Sequence, residues 1–219
     1  KNMEWGAVSY LSHSKYGINT EVRINNNSAY LTGYSAVEGT DQSSHPGESG
    51  TDSTKTLLYN TETGYKASTT GNITGIYDMS GGDWEYVAGY MPSSYDASGF
   101  TSTELNTYSK YLDLYPTNST INSYNNRILG DATGELGPFY YYADKDGNKR
   151  YHNNWYSDLS YFVESTSPWV VRGGGYTDGV LAGQFYFIRD TGGVNTNDGS
   201  RLVLAALIYI RRAFINVLI

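Results

Sequence analysis

The sequence predicts an α+β domain of short mixed strands, one or two helices and long loops. Two stretches carry apolar residues at helical spacing, and several short stretches alternate apolar and polar residues as strands do. Between them lie long segments rich in Gly, Ser, Thr and Asn. Scattered short strands combined with few helices are typical of α+β domains. A chain of 219 residues fits one such domain and can bury a sizeable core.

The N-terminal stretch predicts a helix followed by a strand. In "MEWGAVSYLSHSKYG" (3–17), Gly17 stands where a helix C-cap is expected. The apolar residues at helical spacing are Ala7, Val8, Tyr10 and Leu11. The following "INTEVRI" (18–24) alternates apolar and polar residues, which predicts a half-buried strand. Because the chain opens within this helix, we expect that a preceding segment is missing.

The middle of the chain predicts a long loop and then a compact aromatic segment. Residues 34–70 are rich in Gly, Ser, Thr and Asp and lack apolar periodicity, so we expect a long irregular loop. The segment "GIYDMSGGDWEYVAGY" (75–90) is aromatic and compact. Within it we expect Trp84 and Tyr86 to be core residues. We expect Asp78 and Glu85 to accept hydrogen bonds from backbone donors at turns.

Two further elements follow. "STELNTYSKYLDLY" (102–115) predicts a helix with Leu105, Tyr108 and Leu112 on one face. In "YYYADKDGNKRYHNNW", Asp146-Gly147 lies between aromatic runs, which predicts a hairpin turn.

The C-terminal end is strongly apolar. We interpret residues 200–207 as a buried strand, so that residues 1–207 form the domain. For the extension 208–219, a core helix, a subunit contact and a non-native addition all remain open. Arg211 and Arg212 divide this end into runs too short to span a bilayer, so no membrane span is predicted.

Composition excludes several function classes. The formal net charge is −7, whereas a nucleic-acid surface needs clustered Lys and Arg. Cysteine is absent, which excludes disulfides, thiolate catalysis and Cys-based metal sites in this chain. The abundance of Gly (25) and Tyr (23), together with Ser and Asn, resembles the composition of antibody loops.

No catalytic residue, metal site or cofactor is predicted. The stretch from Asp144 begins like a calcium loop, but Lys149 and Trp155 stand where Gly and Glu are needed, so a plain turn is favoured. His13, His45 and His152 are too scattered to form a metal triad. No "G-x-S-x-G" elbow frames a nucleophile. Asp131 and Glu135 flank Gly134 as in a turn rather than as an acid/base pair.

Three segments, in order, resemble the C-type-lectin-like fold of the formylglycine-generating (sulfatase-modifying) enzyme superfamily. Residues 3–24 resemble the helix and strand that lead to its "RLPTEAEWE" stretch, although that stretch is not preserved here. "GIYDMSGGDWEYV" (75–87) resembles "GLYDMxGNVWEWV". "VVRGGGY…GSRLVL" (170–204) resembles the "RGGSW…GFRLVL" ending. The resemblance spans most of residues 3–205 and implies a C-type-lectin-like domain.

The departures from this superfamily concern its chemistry. Its enzymes oxidise sulfatase cysteines with a pair of active-site cysteines, and its iron-dependent relatives use a histidine triad; this chain has neither. The activity therefore does not carry over. Gly82 stands where the family usually has Asn, and Ser200 where it has Phe, so packing differs at those points.

The same fold serves as the display scaffold of diversity-generating retroelement variable proteins, whose codons near the C-terminus are randomised by adenine-directed mutagenesis. Residues 172–204 resemble such a variable region, with the fixed positions Arg172-Gly173-Gly174, Gly179, Ala182-Gly183, Phe185, Phe187 and Gly199-Ser200-Arg201-Leu202. The chain is also similar to gut-bacterial variable proteins that follow a pilin-like N-terminal helix, on "LGDATGELGPF" and "NWYSDLSYFV". That similarity implies a preceding anchor and a location outside the cell, on a bacterial surface or virion.

The resemblance and the strand alternation together predict a separation of roles. We expect Trp169, Phe185, Phe187 and Leu202 to point inward, and Gln184, Tyr186 and Ile188 to point outward. The predicted ligand contacts, called the display set below, are Tyr176, Thr177, Asp178, Leu181, Gln184, Tyr186, Ile188, Arg189, Asp190 and Thr191. The alternative is that Tyr176, Tyr186 and Ile188 are ordinary half-buried strand residues.

The first hypothesis is therefore a non-enzymatic module that binds a protein or cell-surface receptor through the display set, without a metal. A protein ligand is favoured over a free sugar because no calcium-site motif accompanies the fold. A second hypothesis is a structural subunit of a pilus or phage tail that self-associates through its apolar C-terminus. A third is a degenerate enzyme of the formylglycine-generating type.

Overall fold

The computed structural model describes residues 1–36, 56–115, 142–143, 149–150 and 155–203. In this part of the chain the helices and strands are, in order, α1 (Asn2–Ser12), β1 (Tyr34–Ala36), β2 (Thr56–Leu58), β3 (Trp84–Tyr90), α2 (Ser102–Thr107), β4 (Asp113–Leu114), β5 (Tyr142–Ala143), β6 (Lys149–Arg150), β7 (Trp169–Gly173), β8 (Gly183–Asp190) and β9 (Asp198–Gly199). Short 3₁₀ turns lie at Gly64–Ala67, Ser109–Tyr111, Trp155–Ser157 and Gly179–Leu181. The structure is α+β with few helices, as the sequence predicts.

The largest sheet has five strands and is centred on β3. One edge of β3 pairs antiparallel with β7, which in turn pairs antiparallel with β8. The other edge pairs in parallel with two short strands: β9 at Trp84–Glu85 and β4 at Gly89–Tyr90. The middle of that edge, at Tyr86–Ala88, therefore lies between β9 and β4.

Helix α1 forms at the predicted place, but its predicted buried face is wrong. Tyr10 and Leu11 are 56% and 57% exposed, Ala7 is also exposed, and Val8 is half-buried. The buried face instead consists of Asn2, Trp5, Gly6, Ser9 and Ser12. These polar side chains are buried because the helix lies against β8 and hydrogen-bonds to it: the Trp5 indole and the Ser9 hydroxyl donate to the Gln184 carbonyl at 2.8 and 3.0 Å.

The C-cap of α1 is His13 rather than Gly17. Gly17 lies one turn later, where a Cβ would come within 2.0 Å of the Ser12 carbonyl oxygen, so this close approach requires glycine.

The segment 18–24 has the predicted burial but is not a strand. Val22 and Ile24 are 1% and 4% exposed, whereas Glu21 and Arg23 are half-buried, so side chains alternate as expected. Its backbone hydrogen bonds go to separate partners: the Arg23 amide donates to the Lys66 carbonyl, and the Ile24 carbonyl accepts from the Ala36 amide of β1. Extended backbone without a continuous partner does not make a ladder.

The predicted loop 34–70 contains more order than the sequence indicates. β1 and β2 pair antiparallel, with Tyr34 opposite Leu58, and a 3₁₀ turn follows at Gly64–Ala67. Residues 37–55 lie outside the described residues.

The predicted helix 102–115 is much shorter in the structure. α2 ends at Thr107, a 3₁₀ turn covers Ser109–Tyr111, and β4 follows. No residue of α2 is buried; Tyr108 is 56% exposed, whereas Leu105 and Leu112 are half-buried, so the described residues cover the predicted apolar face only in part. A capping box between Thr101 and Glu104 stabilises the start of α2.

The predicted hairpin is confirmed by its strands. β5 pairs antiparallel with β6, with Tyr142 opposite Arg150 and Ala143 opposite Lys149. The turn itself, with Asp146-Gly147, lies outside the described residues.

The C-terminal prediction is wrong where it can be compared. Residues 201–203 are exposed and form no strand. The extension 208–219 lies outside the described residues. No helix in the described part of the chain is both long and apolar enough to cross a membrane.

Candidate functional site

The predicted variable segment, residues 172–204, includes the end of β7, all of β8 and β9 of the large sheet. From β7 the chain turns through residues 174–182, returns along β8, crosses a loop at 191–197 and ends in β9. β9 lies beside β3, so the segment surrounds the start of β3 from both sides.

Arg172 anchors this segment to the helix at the other end of the sequence. Its side chain is fully buried, and its guanidinium donates to Asn2 Oδ1 at 2.8 Å and to the Gln184 carbonyl at 3.1 Å. The same group lies over the rings of Trp5 and Phe187, 5.7 and 5.9 Å from their centroids. Hydrogen bonds and aromatic faces compensate the desolvation of the buried cation. Arg172 therefore holds β7, β8 and α1 together.

Two glycines make the turn that follows β7. Gly173 and Gly174 have φ values of +85° and +75°, in the left-handed region. A Cβ on Gly174 would lie 2.8 Å from the Ala182 Cα, so the turn also needs the absence of a side chain. These glycines allow residues 174–182 to fold back onto the sheet.

The predicted inward rings are confirmed, with one exception. Trp169, Phe185 and Phe187 are 6%, 0% and 2% exposed. Leu202, by contrast, is fully exposed, so its inward placement is wrong. After β9 the chain leaves the sheet, and none of the residues that the structure describes covers Leu202. Together Trp169, Arg172, Phe185 and Phe187, with Gly173 and Gly174, are called the frame.

The outward placement of Gln184 and Tyr186 is wrong. They are 3% and 2% exposed. Gln184 Oε1 accepts from the Ser12 hydroxyl at 2.5 Å, under α1. The Tyr186 hydroxyl accepts from the Trp84 indole of β3 at 3.0 Å. The β7–β8 register shifts between Arg172 and Gly173, so residues 184–186 are out of regular pairing, and residues 183–187 are all buried without inside–outside alternation.

Asp178, also predicted as a ligand contact, bridges the turn to β3. Its Oδ2 accepts from the Gly175 amide at 2.8 Å and from the Trp84 indole at 3.0 Å. Burial raises the pKa of Asp178 although hydrogen bonds from Gly175 and Trp84 oppose that shift. Burial and the nearby Asp178 charge raise the pKa of Tyr186 far above its usual range. Asp178 thus closes the 174–182 turn.

Tyr176, Thr177 and Leu181 form the outer side of that turn and are half-buried. The Tyr176 ring meets Tyr30 edge to face, with 5.4 Å between centroids, and Tyr30 is 41% exposed. The local sequence pattern around Tyr30 does not distinguish it from an ordinary loop residue, so its role could not be predicted. Its position beside Tyr176 makes it part of the accessible aromatic surface.

The remaining display-set residues lie at the far end of β8. Ile188 is half-buried, and Thr191 is exposed. Arg189 forms an ion pair with Glu164 at 2.9 Å and lies over the Tyr161 ring. Asp190 accepts from the Tyr86 hydroxyl and from the Gly192 amide.

The display set therefore divides between the two ends of β8. That strand has eight residues, which at the usual rise places its ends about 20 Å apart. Tyr176, Thr177, Asp178 and Leu181 lie near its start, whereas Ile188–Thr191 lie at its end.

The interpretation of the segment 75–87 needs two corrections. Trp84 and Tyr86 are half-buried rather than core residues, and their polar atoms bond to display-set residues. Asp78 accepts from the Gly33 amide, as predicted for a turn. Glu85 instead pairs with Arg201, whose guanidinium also donates to the Tyr77 and Asp78 carbonyls. The 75–87 and 199–203 segments are thus joined through side chains as well as through β9.

A groove of about 450 Å³ opens beside the Asp190 end, along the edge of β3 between β9 and β4. Its walls include the rings of Tyr86, Phe100 and Trp169, and the loop 192–195 and β9 border it. We call it the aromatic groove. The groove could not be predicted from the sequence, because Phe100 lies far from the predicted variable segment and belongs to no motif.

The described residues contain no group of three or more His, Cys, Asp or Glu side chains placed to hold a metal ion. His13 packs against Phe185 at 5.2 Å, and its Nε2 lies 3.0 Å from the Tyr156 hydroxyl. His45, His152, Asp131, Glu135 and the stretch 144–148 lie outside the described residues.

Comparisons with protein-family models, with curated proteins and with solved structures find no match to this chain.

Proposed function

We propose that this protein is a non-enzymatic binding module that presents a diversified surface to a protein or cell-surface receptor. The scaffold would be a C-type-lectin-like domain of the kind used by diversity-generating retroelement variable proteins, outside the cell. The observation that carries the proposal is the contrast within one short segment. Arg172, Phe185 and Phe187 are at most 2% exposed, whereas Thr191 is exposed and Tyr176, Leu181 and Arg189 are half-buried.

The contacts between the resembling segments support the scaffold part of the proposal. Asn25, directly after the first segment, forms a bridge with Gly81, and the Gly81 amide donates to the Gly173 carbonyl. Arg201 pairs with Glu85. Such contacts between segments that are widely separated in sequence are expected if the three segments form one scaffold around the variable segment.

The proposed contact surface is narrower than the predicted one. Gln184 and Tyr186 are interior residues, so we assign them to support of the frame rather than to ligand contact. Asp178 and Asp190 hold loops through hydrogen bonds from Trp84 and Tyr86. Direct contact is assigned to Tyr176, Thr177, Leu181, Ile188, Arg189 and Thr191, with Tyr30 beside them. Aromatic and arginine side chains of this kind dominate the energetics of many protein interfaces.

A genomic comparison tests the diversification. We expect a reverse-transcriptase gene near the coding sequence, and a template repeat that differs from the 172–204 coding segment at adenines. A locus with no such repeat, or a repeat identical at every adenine, contradicts the proposal.

A substitution library tests the division of roles in the protein itself. The full chain is displayed on cells with each residue of 169–203 varied, and folded clones are selected by resistance to protease. We expect Thr177, Leu181 and Thr191 to accept most side chains, because surface substitutions usually change stability by less than about 0.5 kcal/mol. We expect Gln184 and Tyr186, like Phe185 and Phe187, to accept few other side chains. Equal tolerance at Thr191 and Phe185 would contradict the proposed division.

A further inference from the structure

The aromatic groove has the form of a pocket for one side chain of a partner. Phe100 is 58% exposed and Val194 is fully exposed. The outer wall of the groove and the loop beside it therefore present apolar surface to solvent. The Phe100 and Trp169 rings are 6.1 Å apart between centroids. A volume of about 450 Å³ is larger than one amino-acid side chain needs, so the site can also take flanking backbone.

The position of the groove places it within the proposed binding surface. Gly192, Val194 and Gly199, all from the predicted variable segment, contribute to its lining. Tyr86 forms another part of the lining and donates to Asp190 of the display set. Substitutions in the segment 192–200 therefore change the groove directly.

The charge of the groove favours a cation. Asp198 lines it, and none of the described lining residues is Lys, Arg or His. Burial, followed by the charges of Asp190 and Asp83, raises the pKa of Asp198. A carboxylate partly desolvated beside two others lacks compensation that a cation would supply. Aromatic ring faces attract cations as well.

Between the two cationic side chains, arginine fits this site better. Its guanidinium is planar, stacks on aromatic faces and is weakly hydrated, whereas the lysine ammonium is a compact and strongly hydrated point charge. An arginine side chain could lie along the rings of Phe100 and Tyr86 with its guanidinium toward Asp198.

We propose that the aromatic groove receives an arginine side chain of a protein partner, held by aromatic stacking and by the carboxylate of Asp198. The proposal deepens the proposed function and rests on it, since it names the chemistry of the partner at one end of the display surface.

The test is a titration of the full-length, ¹⁵N-labelled protein with Nα-acetyl-arginine amide, followed by amide and indole chemical shifts. The control probe is Nα-acetyl-citrulline amide, which has nearly the same shape without the charge. We expect saturable shifts at Gly192, Gly193, Gly199 and the Trp169 indole. We expect the arginine probe to bind at least about fivefold more tightly than the citrulline probe.

Two variants locate the binding. Asp198→Asn should abolish the preference for arginine over citrulline, while Glu62→Gln, at an exposed carboxyl elsewhere, should leave it unchanged. Phe100→Ala should weaken the arginine probe about fivefold or more, while Tyr95→Ala, at a ring that is 62% exposed, should not. Phe100 is exposed enough for its variant to fold even if Asp198→Asn does not.

Equal affinity for the two probes, or shifts that avoid the groove, would overturn the proposal. Such a result leaves the proposed function intact if the template repeat exists and the library separates display positions from the frame. Conversely, arginine binding at the groove without either of those observations contradicts diversification but not the groove.

Discussion

The Trp84 indole nitrogen lies 3.0 Å from Asp178 Oδ2 and 3.0 Å from the Tyr186 hydroxyl, so one donor on β3 joins the 174–182 turn to β8. We expect Trp84→Phe to lower the free energy of unfolding by about 1–3 kcal/mol, because the half-buried Asp178 carboxylate loses a donor. Urea denaturation measures the change. The control Tyr95→Phe, at an exposed ring, should stay within about 0.5 kcal/mol. A cost as small as the control's would show that this contact contributes no stability.

Gly174 offers a test of the turn geometry. Gly174→Ala combines a φ of +75° with a Cβ only 2.8 Å from the Ala182 Cα. Gly99→Ala has a similar φ of +80°, but its Cβ meets nothing within 4 Å. We expect Gly99→Ala to lower the free energy of unfolding by about 1 kcal/mol, from backbone strain alone. We expect Gly174→Ala to lower it by at least about 3 kcal/mol, because the clash adds to the strain. Equal unfolding midpoints for the two variants would contradict this.

Arg172 tests the anchoring of the frame. Arg172→Lys keeps the charge but cannot reach both Asn2 and Gln184 with a planar fork, so we expect a loss of about 2 kcal/mol in the free energy of unfolding. Lys15→Ala, at an exposed position, is the comparison and should change it by less than about 0.5 kcal/mol. Thermal and urea unfolding both measure the difference. An unchanged free energy of unfolding in Arg172→Lys would contradict the anchoring role.

Asp178 gives the protein a predictable response to pH. Because burial raises its pKa above the ordinary value of 3.8, the folded protein binds a proton there more readily than the unfolded chain. This group's contribution to stability is therefore fully present below pH 3.8 and is lost as the pH rises through the raised pKa. Asp178→Asn keeps an oxygen for Gly175 and Trp84 but does not titrate.

The measurement for Asp178 is urea denaturation at pH 4.5 and pH 7. We expect the wild-type protein to gain more stability on acidification than Asp178→Asn does, because only the wild type takes up the proton. Glu62→Gln serves as the control and should follow the wild type. Identical pH dependences of the wild type and Asp178→Asn would show that the raised pKa is absent.

Gln184 and Thr191 test the revised assignment within the display set. Gln184→Ala removes the acceptor for Ser12 and leaves a space under α1. We therefore expect the free energy of unfolding to fall by about 1–3 kcal/mol. Thr191→Ala should cost less than about 0.5 kcal/mol because Thr191 is exposed. Denaturation of both variants under one condition makes the comparison. The reverse order would restore the outward placement of Gln184.

The sequence predicts the elements that depend on local pattern. The N-terminal helix, the hairpin strands on either side of residues 144–148, and the burial of Trp169, Phe185 and Phe187 all follow from periodicity, turn residues and large apolar rings. The alternating burial of Val22 and Ile24 follows in the same way.

The errors come from contacts between distant segments. The apolar residues of α1 predict the wrong face, because the Gln184 carbonyl on β8 accepts from the Trp5 indole and the Ser9 hydroxyl. The sequence of a single strand likewise does not reveal that α1 contacts Gln184 and that Trp84 contacts Tyr186, so the outward placement of these two residues is wrong. The groove is assembled from Phe100, β3 and the 192–200 segment, and no local pattern links these parts.

The bond between Asn2 and Arg172 spans 170 positions of the chain. During synthesis α1 therefore emerges long before β7 and β8 exist, and its polar face stays solvated until those strands have left the ribosome. Closing so large a loop is slow, and proteins dominated by distant contacts fold slowly. If the segment is diversified as proposed, every version of it meets the same slow step, and selection on a new surface also acts on whether this docking succeeds.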